Sequence, residues 1–288
     1  MINLVFNHYF IFSSANREMV KVINKLTLKS SDGNIILDPI CTHLAHNFSA
    51  EKISQLLKLI FPALCASCDT YIYDQGLCAD CWQKLEPVTE PVCYKCIRPL
   101  PYQNITGCCE GCLLTSPKIE KIVAAYRYND ISRSLILRFK YADRLELTHL
   151  LARLLMPAFK QICGPDSLII PIPLHPSRYR ERKFNQSSEL ARKLCSDTNI
   201  NHRFQPSLLE RKKNTKHLGK MPRTQRAKTV KGAFSINAKM NPYLIGKSCL
   251  LIDDVITTGS TISEATKTLL KAGASGVSAI CFASTQKK

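Results

Sequence analysis

Acidic residues are scarce in this chain: 22 Asp and Glu stand against 40 Lys and Arg in 288 residues, a formal charge of +18. That imbalance points toward phosphate-bearing partners, whether nucleotides, nucleic acid or anionic lipid, and does not choose among them. Long apolar runs are missing as well. None approaches the ~18 residues that a spanning helix needs, so a membrane bundle is excluded. The opening Met1-Ile2-Asn3-Leu4-Val5-Phe6 lacks the basic region of a secretory signal, and the cytoplasm is the expected location. Aromatic residues make up only 8%, with a single Trp, which leaves little from which to build an extended base-stacking surface. No side chain stands out as a general base. An apolar content of 45% with 22% charged excludes a disordered tail.

What is present is unevenly placed. Residues 1–120 carry 10 basic and 11 acidic residues, and the remainder carries 30 against 11, so all the excess positive charge is C-terminal. Cysteine runs the other way. Nine of the 14 cysteines fall between Cys65 and Cys112, which marks that window as one unit. The expected organisation is an N-terminal extension over 1–52 with no readable motif, a cysteine-rich module over 53–117, and a basic domain over 118–288. Ile53, Leu56, Leu57, Ile60 and Leu64 recur at helical spacing and predict a short helix leading into the module.

The module contains four Cys-x2-Cys pairs: Cys65/Cys68, Cys78/Cys81, Cys93/Cys96 and Cys109/Cys112. A two-residue gap lets both sulfurs of a pair face one point, and two such knuckles supply the tetrahedral thiolate set of a zinc ribbon. Two structural Zn²⁺ sites are expected, closed by four sulfurs each and therefore without an open position for catalysis. Pairing in sequence order gives one quartet from 65 to 81 and another from 93 to 112, although interleaved quartets would satisfy the same spacings. Cys108 duplicates Cys109 and could replace it. A disulfide framework would need an oxidising compartment.

In the basic domain, apolar runs alternate with helical patterns. Strands are expected at 122–126, 168–173, 248–252 and 276–282, with helices around 134–139, 145–155, 187–194 and 262–271. Apolar strands separated by helices predict an α/β fold, a parallel sheet flanked by helices, beside the small cysteine-rich module.

The most informative segment runs from Cys249 to Thr261. An apolar strand delivers Asp253 and Asp254, and a short turn with Thr257, Thr258, Gly259, Ser260 and Thr261 then opens a helix. The first amides of a helix have no intrahelical partner and lie at the positive end of its dipole, so this turn suits a phosphomonoester. The two carboxylates suit vicinal hydroxyls or a hydrated Mg²⁺ instead, which implies a sugar between the phosphate and the reactive end of the ligand. The upstream strand ends in a loop with Arg178, Arg180, Arg182 and Lys183, four cations in six positions that would suit a pyrophosphate. In an open α/β sheet both loops can face one site if their strands are neighbours. His175 beside them reads as a structural histidine. Residues 211–231 hold nine basic residues and no acidic one, so mutual repulsion predicts a mobile loop until an anion orders it.

The segment 249–261 resembles the PRPP-binding motif of type I phosphoribosyltransferases. The whole layout over 53–288, with Pro171-x-Pro173-Leu174-His175-Pro176-x-Arg178, Arg182 and Phe184-Asn185-Gln186 as its most specific stretch, resembles the ComF family, also described as the competence-protein or GntX-like group. The resemblance implies a type I phosphoribosyltransferase-like domain with Asp253 and Asp254 at the ribose hydroxyls, in the catalytic position. It places 257–261 at the 5′-phosphate, Arg178 and Arg182 near the pyrophosphate, and Mg²⁺ arriving with PRPP. It names no acceptor for a pentosyl transfer. It also implies a part in DNA uptake and natural transformation, with DNA-uptake proteins as partners. The other expectation is an inactive phosphoribosyltransferase fold that binds single-stranded DNA through residues 178–231, where 16 basic residues face 4 acidic ones.

Overall fold

The computed structural model describes residues 63–141, 144–215 and 223–285, together with the backbone of 27–29 and 35–37. The helix expected over 53–64 lies almost wholly outside the described residues. Two compact units are present, one of residues 1–64 and 70–75, the other of 65–69 and 76–288. In the first, β1 (Thr27–Lys29) pairs antiparallel with β2 (Ile35–Leu37), and β3 (Ala63–Leu64) pairs antiparallel with β4 (Tyr71–Ile72).

The second unit begins with the cysteine knuckles, two of which carry short helices: α1 (Ala79–Gln83) starts after Cys78 and includes Cys81, and α2 (Glu110–Thr115) starts after Cys109 and includes Cys112. A parallel sheet follows, with β5 (Ile122–Arg127) and β6 (Leu168–Pro171) at its edges and β9 (Ser248–Ile256) and β10 (Gly276–Ser284) between them, in the order β5-β10-β9-β6. The connecting helices are α3 (Asp130–Tyr141), α4 (Leu147–Ile162), α5 (Pro176–Arg182), α6 (Gln186–Asp197), α7 (Arg223–Val230) and α8 (Ser260–Lys271).

Alternation along the two central strands divides the core into layers, because successive strand residues face opposite sides. Leu250 and Ile252 of β9 with Ile280 and Phe282 of β10 pack against α3, α4 and α6 through Phe139, Leu151, Leu155, Phe159, Leu190 and Leu194. Cys249 and Leu251 with Val277, Ala279 and Cys281 pack on the other side, against Ile262, Ala265 and Leu269 of α8. Both faces of the strands are therefore apolar, which is why they read as continuous hydrophobic runs.

The edge at β5 is covered by the cysteine module: Val88 N donates to Ala125 O, Arg127 N to Glu86 O, and Ile122 N to Tyr94 O, at 2.7–3.0 Å. This gives the otherwise unpaired strand edge partners. Arg138 on α3 adds a bidentate pair with Asp69, both contacts at 2.6 Å.

The basic segment departs from the expected mobile loop. Its ends are joined by an antiparallel pair, β7 (Leu209–Arg211) with β8 (Phe234–Ile236), and residues 223–230 form α7. Gly232 N donates to Glu264 on α8, and Lys213 Nζ donates to Lys231 O at 2.7 Å, so backbone pairing and a carboxylate anchor offset the like-charge repulsion. Residues 216–222 lie outside the described residues.

Candidate phosphoribosyl site and zinc ribbons

The sulfurs of Cys65, Cys68, Cys78 and Cys81 form one group and those of Cys93, Cys96, Cys109 and Cys112 another, with all ligand atoms of a group within 4.8 Å of one another. Cys68 and Cys78 sulfurs are 3.7 Å apart, and those of Cys96 and Cys109 are 3.6 Å apart. A tetrahedral site with Zn–S bonds of ~2.3 Å has edges of ~3.8 Å, so the donor set fits Zn²⁺. The Cys78 amide also donates to Cys65 Sγ at 3.2 Å. Burial, reinforced by neighbouring cysteines, pushes the Cys81 thiol up to about 12. Four cysteine sulfurs at this spacing suit a divalent cation, which would hold them as thiolates. Cys109 rather than Cys108 joins the second group. Cys108 is buried outside it, with its carbonyl accepting from Asn104 Nδ2 at 2.9 Å.

The strand carrying the two acids is longer than its apolar pattern, since β9 continues through both to Ile256. Asp254 is 8% exposed and forms an ion pair with Lys140 on α3, Nζ to Oδ2 2.7 Å. Asp253 stays partly exposed. Its Oδ1 accepts from Ser187 Oγ at 3.2 Å and from the Asp254 amide at 2.9 Å. Burial first and the Asp254 charge second push Asp253 up to about 7, against the opposing pull of Lys140.

The turn after β9 is open. Gly259 adopts φ 74°, a left-handed conformation that glycine takes without strain, and a Cβ built there would meet nothing within 4 Å. As the N-cap of α8 it supplies no capping side chain. Thr258 Oγ1 and Ser260 Oγ are 2.9 Å apart, and Thr258 Oγ1 accepts from the Ser260 amide at 3.4 Å. Thr257, Ser260 and Thr261 remain partly exposed. The strand tip therefore presents a carboxylate followed by a glycine-opened helix start, an arrangement that can take a sugar hydroxyl and a phosphate side by side.

β6 is the direct neighbour of β9, with Pro171 opposite Ile252, and the Ile172 amide donates to Ile252 O at 2.9 Å. The loop after β6 and the acid-bearing strand consequently meet at the same end of the sheet. Asn185 organises this junction: its side chain donates to Ile172 O at 3.0 Å and accepts from the Ser187 amide at 3.1 Å, which caps α6 and brings Ser187 to Asp253. His175 is the N-cap of α5, its ring Nδ1 accepting from the Ser177 amide at 3.3 Å, with Pro176 in the first turn. That is a structural task for the histidine.

The cations separate. Arg182 is 9% exposed and donates to Gln186 Oε1 at 3.3 Å. Arg178 donates to Thr215 O at 3.0 Å, while Arg211 donates to the Thr215 hydroxyl and lies over the Phe234 ring at 5.5 Å. Burial lowers the Arg211 pKa, the Arg178 charge lowers it further, and Asp253 raises it. Arg211 also lines a cleft of about 730 Å³ with Pro173, Leu174, His175, Lys212 and Asn237, so it stands both in this cleft and in the electrostatic field of Asp253. A second cavity of about 480 Å³ lies where the cysteine module meets β5, lined by Val88, Tyr94, Lys121 and Ile122. Among the described residues, the groups of three or more side chains spaced to hold a metal are the two cysteine quartets.

Comparison with known proteins agrees with this layout. Residues 56–113 match the double zinc ribbon domain and residues 187–288 the phosphoribosyl transferase domain. Competence protein F of Haemophilus influenzae is 32% identical over 222 residues, covering 73% of this chain and 91% of that protein. The chain belongs to the ComF family. Competence protein ComFC of Bacillus subtilis is 30% identical over 242 residues, covering 81% of this chain and 90% of its own. DNA utilization protein YhgH of Escherichia coli is 27% identical over 235 residues, covering 79% and 99%.

In this ComF chain three residues at the site escape sequence reasoning. Lys140 sits in an amphipathic helix more than 100 residues before the acid it pairs with, so nothing local marks it. Arg211 opens the basic run and looks like any other member of it until β7 draws it inward. Ser187 follows the Phe184-Asn185-Gln186 signature directly, and its place as second residue of a capped helix was the available clue.

Proposed function

We propose that this ComF chain binds a phosphoribosyl ligand, PRPP carrying Mg²⁺, and works in the uptake and handling of DNA. The observation that supports the ligand is the strand tip itself, where Asp253 lies a few residues before a helix start opened by Gly259 at φ 74°. The 5′-phosphate would take the amides of the 258–261 turn. A ribose hydroxyl would take Asp253, and the diphosphate would extend toward Arg178 and Arg211. Mg²⁺ would come bound to that diphosphate, because Asp254 already has Lys140 as its cation. A charged group developing at C1′ would then be stabilised by fixed residues in a partly dry site, through positioning and electrostatics.

The printed names of the relatives, competence proteins and DNA utilization proteins, support the cellular setting. The basic stretch suits DNA phosphates, although of its aromatic residues Phe184 is buried against Phe139 and Phe204 packs on the core, while Tyr179 is exposed. Contact with single-stranded DNA would therefore be electrostatic, and its affinity should fall steeply with salt; a flat salt response would remove that part of the reading. Isothermal titration of PRPP with Mg²⁺ into the natural chain and into an Asp253→Asn/Asp254→Asn variant tests the ligand. Heat from the first and none from the second is expected, and equal heats would dismiss the site.

A further inference from the structure

We propose that Lys140 is the positioning residue of the sugar site: it holds Asp254 on the α3 face of the sheet and leaves Asp253 as the carboxylate offered to the ribose hydroxyls. This rests on the phosphoribosyl reading above and divides the work of the two acids. Consecutive residues of a strand point to opposite faces. Leu250 and Ile252 lie in the layer of α3, and Asp254 continues their alternation toward Lys140, which follows the core residue Phe139 on that helix. The pair is largely removed from water, with side-chain exposures of 18% for Lys140 and 12% for Asp254 and a separation of 2.7 Å. A pair so enclosed is held firmly, since losing one member leaves the other charged and unpaired in a poorly solvated place.

Asp253 is treated differently by the fold. Both its hydrogen bonds, from Ser187 and from the Asp254 amide, reach Oδ1. Among the described residues Oδ2 has no hydrogen-bond partner. Its salt-bridge status differs too, as no lysine or arginine lies within ion-pair distance of it among the described residues.

The test uses the full-length, zinc-loaded chain, three single variants and one double variant, with ribose 5-phosphate and inorganic pyrophosphate as probes of the two ends of the site. Lys140→Met is expected to weaken ribose 5-phosphate by about tenfold or more, the loss of one charge-assisted contact, while pyrophosphate affinity stays within about twofold. Lys140→Arg should restore most of the loss. In an Asp254→Asn background Lys140→Met should cost little more, because the two residues act as one unit. An unchanged ribose 5-phosphate affinity in Lys140→Met overturns the inference, as does an equal fall for both probes or additive effects in the double variant. If the natural chain binds PRPP and Lys140→Met binds ribose 5-phosphate as well as it does, this inference alone fails. If the natural chain binds neither PRPP nor ribose 5-phosphate, the phosphoribosyl reading fails and takes the inference with it.

Discussion

Asp253 is maintained at a cost to stability, and the cost can be measured. Burial and the neighbouring Asp254 charge push it up to about 7, well above an ordinary aspartate. Because the folded value lies above the unfolded one, the folded chain holds this proton more tightly. The penalty for ionisation is absent below about pH 4, grows as pH rises through 4 to 7, and is constant above that. At ~1.4 kcal/mol per unit it reaches about 4 kcal/mol at pH 8 and is about 2 kcal/mol at pH 5. Asp253→Asn removes the charge and keeps an oxygen that can accept from Ser187 and from the Asp254 amide. The variant should therefore be more stable than the natural chain, by a margin roughly 1–4 kcal/mol larger at pH 8 than at pH 5. Denaturant unfolding of both proteins at both pH values reads this directly, and comparison at one pH cancels any common effect of pH on the zinc ribbons. A variant that is less stable than the natural chain, or a margin that does not change with pH, would refute the reasoning. Greater stability combined with lost ligand binding is what a functional, electrostatically costly residue predicts.

Other consequences can be checked separately. Gly259→Ala should lower stability by about 1–2 kcal/mol, because φ 74° is costly for any residue with a Cβ, and should weaken PRPP binding; thermal unfolding and titration read the two effects. Cys96→Ser should reduce the metal content from two zinc ions per chain to one by elemental analysis and expose the module to proteolysis, whereas Cys108→Ser should leave both ions in place. Arg211→Met should leave stability unchanged or raise it slightly in urea unfolding, since burial and Arg178 already oppose its charge, yet weaken pyrophosphate binding by about tenfold.

The sheet was legible because its strands are buried on both faces. Leu168–Pro171 and Gly276–Ser284 stand out as apolar runs, and the helices between them follow the 3.6-residue repeat. Strand ends were less legible where chemistry intervenes: the apolar pattern stops at Ile252, but pairing with β10 carries β9 through Asp253 to Ile256. Helix α5 was hidden by its charge, since Arg178, Arg180 and Arg182 suggest a solvated loop, although Pro176 in the first turn and the His175 cap are helix-start signals. The knuckle spacing indicated a metal clamp but could not distinguish Cys108 from Cys109, which depends on how the chain turns at Gly107. Tertiary pairs such as Lys140 with Asp254 and Arg178 with Arg211 around Thr215 join distant segments, and no local pattern encodes them.

The most direct test of the central claim is a crystal structure of the chain with PRPP and Mg²⁺. The account predicts the 5′-phosphate on the amides of residues 258–261 and a ribose hydroxyl on Asp253, with Lys140 still bound to Asp254. A ligand seated elsewhere, or a 5′-phosphate held by the arginines with the Gly259 turn empty, would contradict it.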